Sequence, residues 1–516
     1  MKGLTLLRHV VLTCLALSKH VLCADDDSYK CSKTSPCSIG CCGALNDDGV
    51  GTCGLGPDYC GDGCYSSCDY KSECDPGWGI EWSNATTCPL NVCCSKYGFC
   101  GTTSEFCGSE VVSSPECAVS GNSSTARTIG YYEGWNWQRS CGTMTPKQIP
   151  LGYYTHINFA FSLIDPDTHR LVAMDDVTGE LYQAVTALKA NQPDLQVWIA
   201  VGGWAMNDAG EYQEVFTDLA ASEEAQDEFF EALVTFMANN NFDGVDIDWE
   251  YPVAEDRGGV DADFDNYVTF VSRLRDRLNN VGSTMGLSIT LPASYWYLRG
   301  FDIVNLEPYV DWFNVMTYDI HGVWDSTVES LGSYARAHTN LTEINSALEL
   351  LWRNNINPSR VNMGLGFYGR SFTMSDPSCM AAGCPFSAAG GAGECTGTAG
   401  VLSAAEIMQI IGSGDGVTMT LDPVAAVQIV TWDTDQWVSW DDATTLGMKV
   451  DYANERCLGG VMVWAIDLDN GSMIESLSQS GNGRTFFLED SEIPENVPCY
   501  GDGTIPDWAY SNYTSS

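Results

Sequence analysis

Phe242-Asp243-Gly244-Val245-Asp246-Ile247-Asp248-Trp249-Glu250-Tyr251-Pro252 is the stretch on which the fold of this chain turns. Asp246, Asp248 and Glu250 share one parity; Val245, Ile247 and Trp249 share the other. A β-strand sends alternate side chains to opposite faces. One face therefore carries three carboxyls and the other is apolar. A helix-like stretch, Phe229 to Phe236, precedes it and Gly244 flanks it, which predicts an inner strand of a packed α/β domain. Solvent-facing acids are the plainer reading of the same alternation. On an inner strand, neighbouring acids are destabilising unless they share protons and hydrogen bonds. That cost is tolerated more often at an active site than in a scaffold.

Outward from this strand, apolar β-branched runs recur with helix-like stretches between them. They are Thr128–Tyr132, Thr155–Phe161, Leu195–Val201, Phe242–Asp248, Met285–Leu291, Val310–Tyr318, Val361–Phe367 and Leu458–Ala465. Eight runs in that alternation predict an α/β fold, a parallel (β/α)8 TIM barrel. The spacing stretches before the last run. There, about 371–448, lie Cys379, Cys384, Cys395 and two short strand-like pieces, read as an α+β insertion between strands 7 and 8 that walls one side of a groove. Barrel active sites lie at the C-terminal ends of strands. Asp248 and Glu250 end the fourth run, Tyr318 and Asp319 the sixth, and Trp464 the eighth; Tyr368 and Arg370 follow the seventh.

The 516 residues allow a large core and more than one domain. Acids outnumber bases 68 to 24, for a net charge of −44. Nucleic acid and anionic membranes attract basic surfaces, so neither is an expected partner. Residues 1–23 read as a secretory signal: Lys2 and Arg8 precede the apolar run Val10 to Leu17, which is too short to span a bilayer. A signal-anchor is the alternative. The remainder, including a C-terminal tail at 486–516 that ends in the polar stretch Ser511 to Ser516, is expected to carry no spanning segment or lipid-anchor signal. The protein is expected to be secreted and extracellular, with cell-wall association left open. Asn84, Asn122, Asn340, Asn470 and Asn512 begin glycosylation sequons.

Of 23 cysteines, Cys14 and Cys23 fall in the signal and fifteen lie between Cys31 and Cys117. That density predicts disulfides in an oxidising compartment. Zinc knuckles compete, but this region has no histidine. Two runs, 31–70 and 74–118, each contain an adjacent cysteine pair, then Cys-Gly, then aromatic-Cys-Gly: Tyr59-Cys60-Gly61 and Phe106-Cys107-Gly108. They read as an internal duplication, followed by a polar linker at 119–126 and the barrel domain at 127–485.

The second run, from Cys88 through Cys93-Cys94-Ser95-Lys96-Tyr97-Gly98-Phe99-Cys100 to Phe106-Cys107, resembles the hevein-like chitin-binding module. The resemblance implies that Ser95, Tyr97, Phe99 and Phe106 hold N-acetylglucosamine, flat aromatic faces covering sugar rings. It also implies the pairs Cys74–Cys94, Cys88–Cys100 and Cys93–Cys107, and leaves Cys117 to pair elsewhere. The first run departs from the pattern: its loop, Gly43 to Thr52, carries no aromatic residue.

The barrel resembles glycoside hydrolase family 18. Asp243, Asp246, Asp248 and Glu250 complete that family's Asp-x-x-Asp-x-Asp-x-Glu motif; Met316-Thr317-Tyr318-Asp319, Trp464 and Gly202-Gly203 match its other strand-end motifs. With the cysteine-rich front end, the chain looks most like fungal chitinases related to a killer-toxin subunit. The resemblance implies a chitinase cleaving β-1,4 bonds of chitin and chitooligosaccharides with retention, through an oxazolinium ion formed by the substrate's own acetamide. Glu250 would be the acid and then the base, Asp248 would hold the acetamide N–H, Asp246 would share a proton with Asp248, and Tyr318 would donate to the acetamide oxygen. Asp243, off the shared parity, is read as structural. Trp464 would floor the sugar, and Asp319 and Arg370 would grip its hydroxyls. Met316, Tyr368, Tyr132, Trp204 and Trp324 complete the expected substrate set, with Trp135, Trp137 and Trp296 as further subsite candidates.

Ala200 stands where the family often has a serine touching an inner aspartate; a retuned pH profile is expected, with Tyr132 helping to hold Asp246. No motif calls for a metal or organic cofactor, and a monomer is expected. The other readings are a catalytically inactive chitin lectin, an enzyme acting on N-glycans, and a toxin component that docks on chitin.

Overall fold

The computed structural model describes residues 29–118, 122–281, 284–414 and 416–480. The expected signal segment, the tail, Asn512, Cys14, Cys23 and Cys499 lie outside the described residues. The chain divides into two compact units at Val111/Val112.

In the first unit, disulfides replace a hydrophobic core. Lys30–Ser32, Val50–Gly54 and Cys41–Cys42 form one small sheet, and Cys93–Cys94 pairs with Cys100–Gly101 in a second. The first run is bridged Cys31–Cys42, Cys37–Cys53 and Cys41–Cys60, and the second Cys74–Cys94, Cys88–Cys100 and Cys93–Cys107. Numbered within each run, both pair first with fourth, second with fifth and third with sixth. Tyr59 packs over Gly54 as Phe106 packs over Gly101, where a Cβ would meet each ring within 2.6 Å. The two runs are therefore copies of one scaffold. Cys64–Cys68 is particular to the first.

The second unit is a closed barrel of eight parallel strands: β1 Arg127–Glu133, β2 His156–Ile164, β3 Gln196–Gly202, β4 Gly244–Asp248, β5 Gly286–Pro292, β6 Trp312–Met316, β7 Val361–Gly366 and β8 Gly460–Trp464. A short strand, Leu171–Ala173, adds antiparallel to β2. Strand β4 shows why the sequence closes this way. Val245 and Ile247 are buried outward, and Trp249 just beyond stacks on Phe216 and meets Tyr267 edge-on. Asp246 and Asp248 hydrogen-bond the neighbouring strand β5. The helix before β4, Glu223–Asn240, begins where the Ser222 hydroxyl accepts the Ala225 N–H, carries Glu223 and Glu224 in its first turn, and ends at left-handed Asn241. Its Phe229 and Phe230 pack on Phe270 of helix Asp263–Asn279.

The insertion between β7 and β8 holds more than two strand-like pieces. Six strands, Tyr368–Met374, Phe386–Ala389, Val401–Ser403, Thr418–Asp422, Val427–Trp432 and Gln436–Trp440, form one antiparallel sheet with helix Ala404–Ser413. It begins at Tyr368, earlier than expected, because the chain leaves β7 directly into its first strand. Cys141–Cys395 ties the loop after β1 to this insertion, and Cys379–Cys384 closes a loop within it. The expected linker is also not free along its length. Ser124 is buried, with its N–H and hydroxyl both donating to Asn454 Oδ1, and Cys117 is bridged to Cys457. Among the described residues no helix is long and apolar enough to cross a membrane.

Candidate active site

Asp246 and Asp248 point into the barrel, and Glu250 follows two residues beyond; all three are buried. Asp243 has a different task. Its carboxylate takes Lys189 Nζ at 2.8 Å and the Val197 N–H at 2.8 Å, pinning the start of β4 to its neighbours. Beyond β4, Gly202 crosses so close that a Cβ would lie 2.1 Å from the Asp248 carbonyl oxygen, and its φ of 116° is a conformation that favours glycine. The Gly203 N–H then donates to that carbonyl at 2.9 Å.

Asp246 accepts three hydrogen bonds: Ser288 Oγ at 2.6 Å, Tyr131 OH at 2.6 Å and Asn314 Nδ2 at 3.0 Å. Burial leaves its pKa raised, the three donors opposing that shift only in part. The holder is Tyr131, not Tyr132. Tyr132 faces the other way, its hydroxyl donating to the Met144 carbonyl and its ring meeting Phe159, so one residue of strand parity removes it from the expected set. Ala200 lies directly across from Asp246 on β3, and Ser288 lies across on β5; the hydroxyl comes from the opposite neighbour.

Asp248 has Thr290 Oγ1 at 2.5 Å. Burial, then the charges of Glu250 and Asp246, hold its carboxyl well above the ordinary range. Burial also pushes Glu250 up, to about 7, against a hydrogen bond from Tyr251 and the positive charge of Arg257. Arg257 donates to the Glu250 carbonyl at 3.0 Å and pairs with Asp208 at 2.8 Å. Tyr251 and Arg257 were not read from the sequence; adjacency to Glu250 was the signal for the first, and nothing local marked the second.

Tyr318 is nearly buried, and burial with the charges of Asp248 and Asp319 keeps its hydroxyl protonated. Asp319 is gripped by Arg370 through two bonds, 2.7 and 2.6 Å, and by Tyr368 OH at 2.6 Å. Burial alone would raise Asp319, but the Arg370 guanidinium outweighs it and holds the carboxyl far below its usual range. Trp464 meets Tyr131, Phe161 and Trp135 at ring separations of 5.4, 5.8 and 6.2 Å. Trp204 is 51 % exposed with Arg257 over its ring, and Trp324 is 38 % exposed with Arg370 over its ring. Trp296 is exposed as well, while Met316 and Trp137 are half-buried.

In the first unit, Tyr97 stands 61 % exposed and Ser95 is buried, its hydroxyl accepting the Phe99 N–H at 3.2 Å. Phe99 and Phe106 are half-buried. Trp78, outside the expected set, packs against both Gly56 and Gly98, joining the two copies.

Residues 127–469 match the sequence pattern of glycosyl hydrolases family 18, and residues 79–117 match that of chitin recognition protein. A protein described as secreted chitinase LysM12 of Penicillium expansum is 31 % identical over 74 % of this chain and 27 % of its own. The killer toxin subunits alpha/beta of Kluyveromyces lactis are 33 % identical over 72 % of this chain and 32 % of their own. The chain thus spans under a third of the length of these relatives. The catalytic domain 2 of an Ostrinia furnacalis group II chitinase superposes with a TM-score of 0.61 at 29 % identity, covering 69 % of this chain and 96 % of that one.

Proposed function

The chain belongs to glycosyl hydrolases family 18, and on that premise we propose that it is an active, secreted chitinase that cleaves chitin and its oligosaccharides with retention of configuration. The observation that carries the reading is the row Asp246, Asp248, Glu250, in which burial keeps Glu250 protonated up to about pH 7. A carboxylic acid poised there suits proton donation to a glycosidic oxygen near neutral pH. As membership of the family implies, the nucleophile is the substrate's own acetamide oxygen, which closes on the anomeric carbon as the bond to the leaving oxygen breaks. Asp248 receives the acetamide N–H, and the negative charge that the Asp246–Asp248 pair retains offsets the positive charge of the oxazolinium ion. Tyr318, kept protonated, donates to the acetamide oxygen. Glu250, now ionised, draws a proton from the incoming water. Trp464 lies under the sugar, and Asp319, fixed by Arg370 and Tyr368, holds a hydroxyl. Ser95, Tyr97, Phe99 and Phe106 hold N-acetylglucosamine units of the polymer. The protein acts as a monomer.

The test is hydrolysis of a chitin oligomer by wild type and Glu250→Gln. A loss of about 10²–10⁴-fold is expected, the range for a positioned acid–base group. Equal, negligible rates would favour a chitin lectin, and equal, substantial rates would remove Glu250 as the acid.

A further inference from the structure

Two polar residues, one half-buried at the start of β1 and one buried inside the barrel, have no place in the steps above. Arg127, at the start of β1, donates its Nε–H to Asn362 Oδ1 at 2.9 Å. Asn362, on β7, donates Nδ2–H to Asn314 Oδ1 at 2.9 Å. Asn314, on β6, spends its two amide hydrogens on Asp246 Oδ1 at 3.0 Å and Tyr131 OH at 3.1 Å. Both asparagines are fully buried. A guanidinium offers only donors. Asn362 must therefore turn its oxygen toward Arg127 and its nitrogen toward Asn314, and Asn314 must in turn aim its nitrogen at Asp246. The sense of every bond follows from the cation at one end. Arg127 is itself anchored, with Nη2 on the Ser359 carbonyl at 2.5 Å and its guanidinium 5.0 Å from the Trp312 ring centre. Gly460 leaves the room: a Cβ there would lie 2.4 Å from Asn362 Oδ1.

We propose that the chain Arg127–Asn362–Asn314 is a positioning device that keeps Asp246 ionised and thereby leaves the proton of the aspartate pair on Asp248. This rests on the catalytic reading above. Tyr131 accepts from Asn314, so its own proton faces Asp246 Oδ2. Ser288 donates to Oδ1. Asn314 and Tyr131 thus present a donor to each oxygen of Asp246, which favours its ionised form, and the rotatable Ser288 hydroxyl donates to that form as well. Asp248 has Thr290 as its hydrogen-bond partner and lies beside two like charges. The ionisable groups that act on Asp246 are Asp248 on its own strand, Tyr131 on β1, Tyr318 after β6 and Tyr267 on the helix behind β4, and burial keeps the three tyrosines neutral. Successive aligned hydrogen bonds reinforce one another in a low-dielectric interior. With Ala200 in place of a hydroxyl on β3, this amide and Ser288 carry the load.

The experiment measures kcat/KM against pH on a soluble chitin oligomer for wild type, Asn314→Leu, Asn362→Leu and Arg127→Met, with thermal melting to confirm folding. Losing a donor makes Asp246 easier to protonate, so the pair loses its last negative charge at higher pH. The acid limb is expected to move up by about one pH unit in Asn314→Leu, one hydrogen bond to a charged group. Asn362→Leu and Arg127→Met should move it less in the same direction, with the basic limb unmoved. A uniform loss of rate in folded variants without a shift of the acid limb would overturn the proposal. In wild type labelled with ¹³C-aspartate, Asp248 should keep its proton to higher pH than Asp246 as the pair is titrated; the reverse order would also overturn it, whether or not any variant folds. Full activity in Glu250→Gln would sink the catalytic reading instead, leaving the carboxyl assignment to stand on the NMR result.

Discussion

At the scale of single residues, the pH profile follows from Glu250. On the proposed mechanism it must be protonated to act as an acid, so activity is predicted to fall as pH rises through its pKa of about 7. Arg257 favours the ionised form; Arg257→Met should move the basic limb of kcat/KM upward, and a limb that stays or falls would contradict this. Ala200→Ser adds a donor across from Asp246, which should move the acid limb down by less than about one unit. An unmoved limb would contradict the retuning expected from Ala200. The carboxyl row was legible because polar and apolar residues alternate along β4. The tyrosine that holds Asp246 was not. Gly130, Tyr131, Tyr132 and Glu133 are all buried, so no polar alternation marks which face of β1 looks inward. Ser288 and Asn314 were hidden for a related reason: Asn314 is the one polar residue of Trp312–Met316, Ser288 has only Thr290 beside it in Gly286–Pro292, and it takes the closed barrel to bring them to Asp246.

At the scale of elements, the loop after β6 carries its own charge network. His321 bonds Asp325 at 2.7 Å and Glu343 at 2.8 Å. Burial alone would lower the imidazole's pKa, but those two bonds outweigh it and push it up to about 9. A raised histidine stabilises fully below its unfolded pKa of about 6.5. The contribution is then lost as pH rises through about 9. His321→Gln should therefore lower Tm most near pH 6 and scarcely at all near pH 10; a difference independent of pH would contradict the assignment. The eight barrel strands were legible as apolar runs of regular spacing. The insertion was legible from the stretched spacing before the last run, but most of its strands were not, because they lack a readable period. Val401–Ser403 has three residues, and Thr418–Asp422 is exposed along most of its length. Its place is set by Cys141–Cys395, a contact 254 residues apart in sequence that no local pattern contains.

At the scale of the whole molecule, a disulfide-built unit with two copies of one scaffold accompanies a family 18 barrel. The copying was readable from cysteine spacing alone, since the bridges leave few other ways to fold so poor a core. Tyr97, the most exposed aromatic of the second copy's expected sugar face, should matter most where the substrate is a surface. Tyr97→Ala is expected to lower binding to insoluble chitin several-fold, read by depletion from solution, and an unchanged isotherm would remove the residue from the binding face. The catalytic claim is tested most directly by the anomeric form of the first product. Proton NMR in the opening minutes of chitin-oligomer hydrolysis should show the β-anomer in excess, decaying to equilibrium by mutarotation, as attack by the substrate's own acetamide requires. An initial excess of the α-anomer, or no product at all, would contradict it.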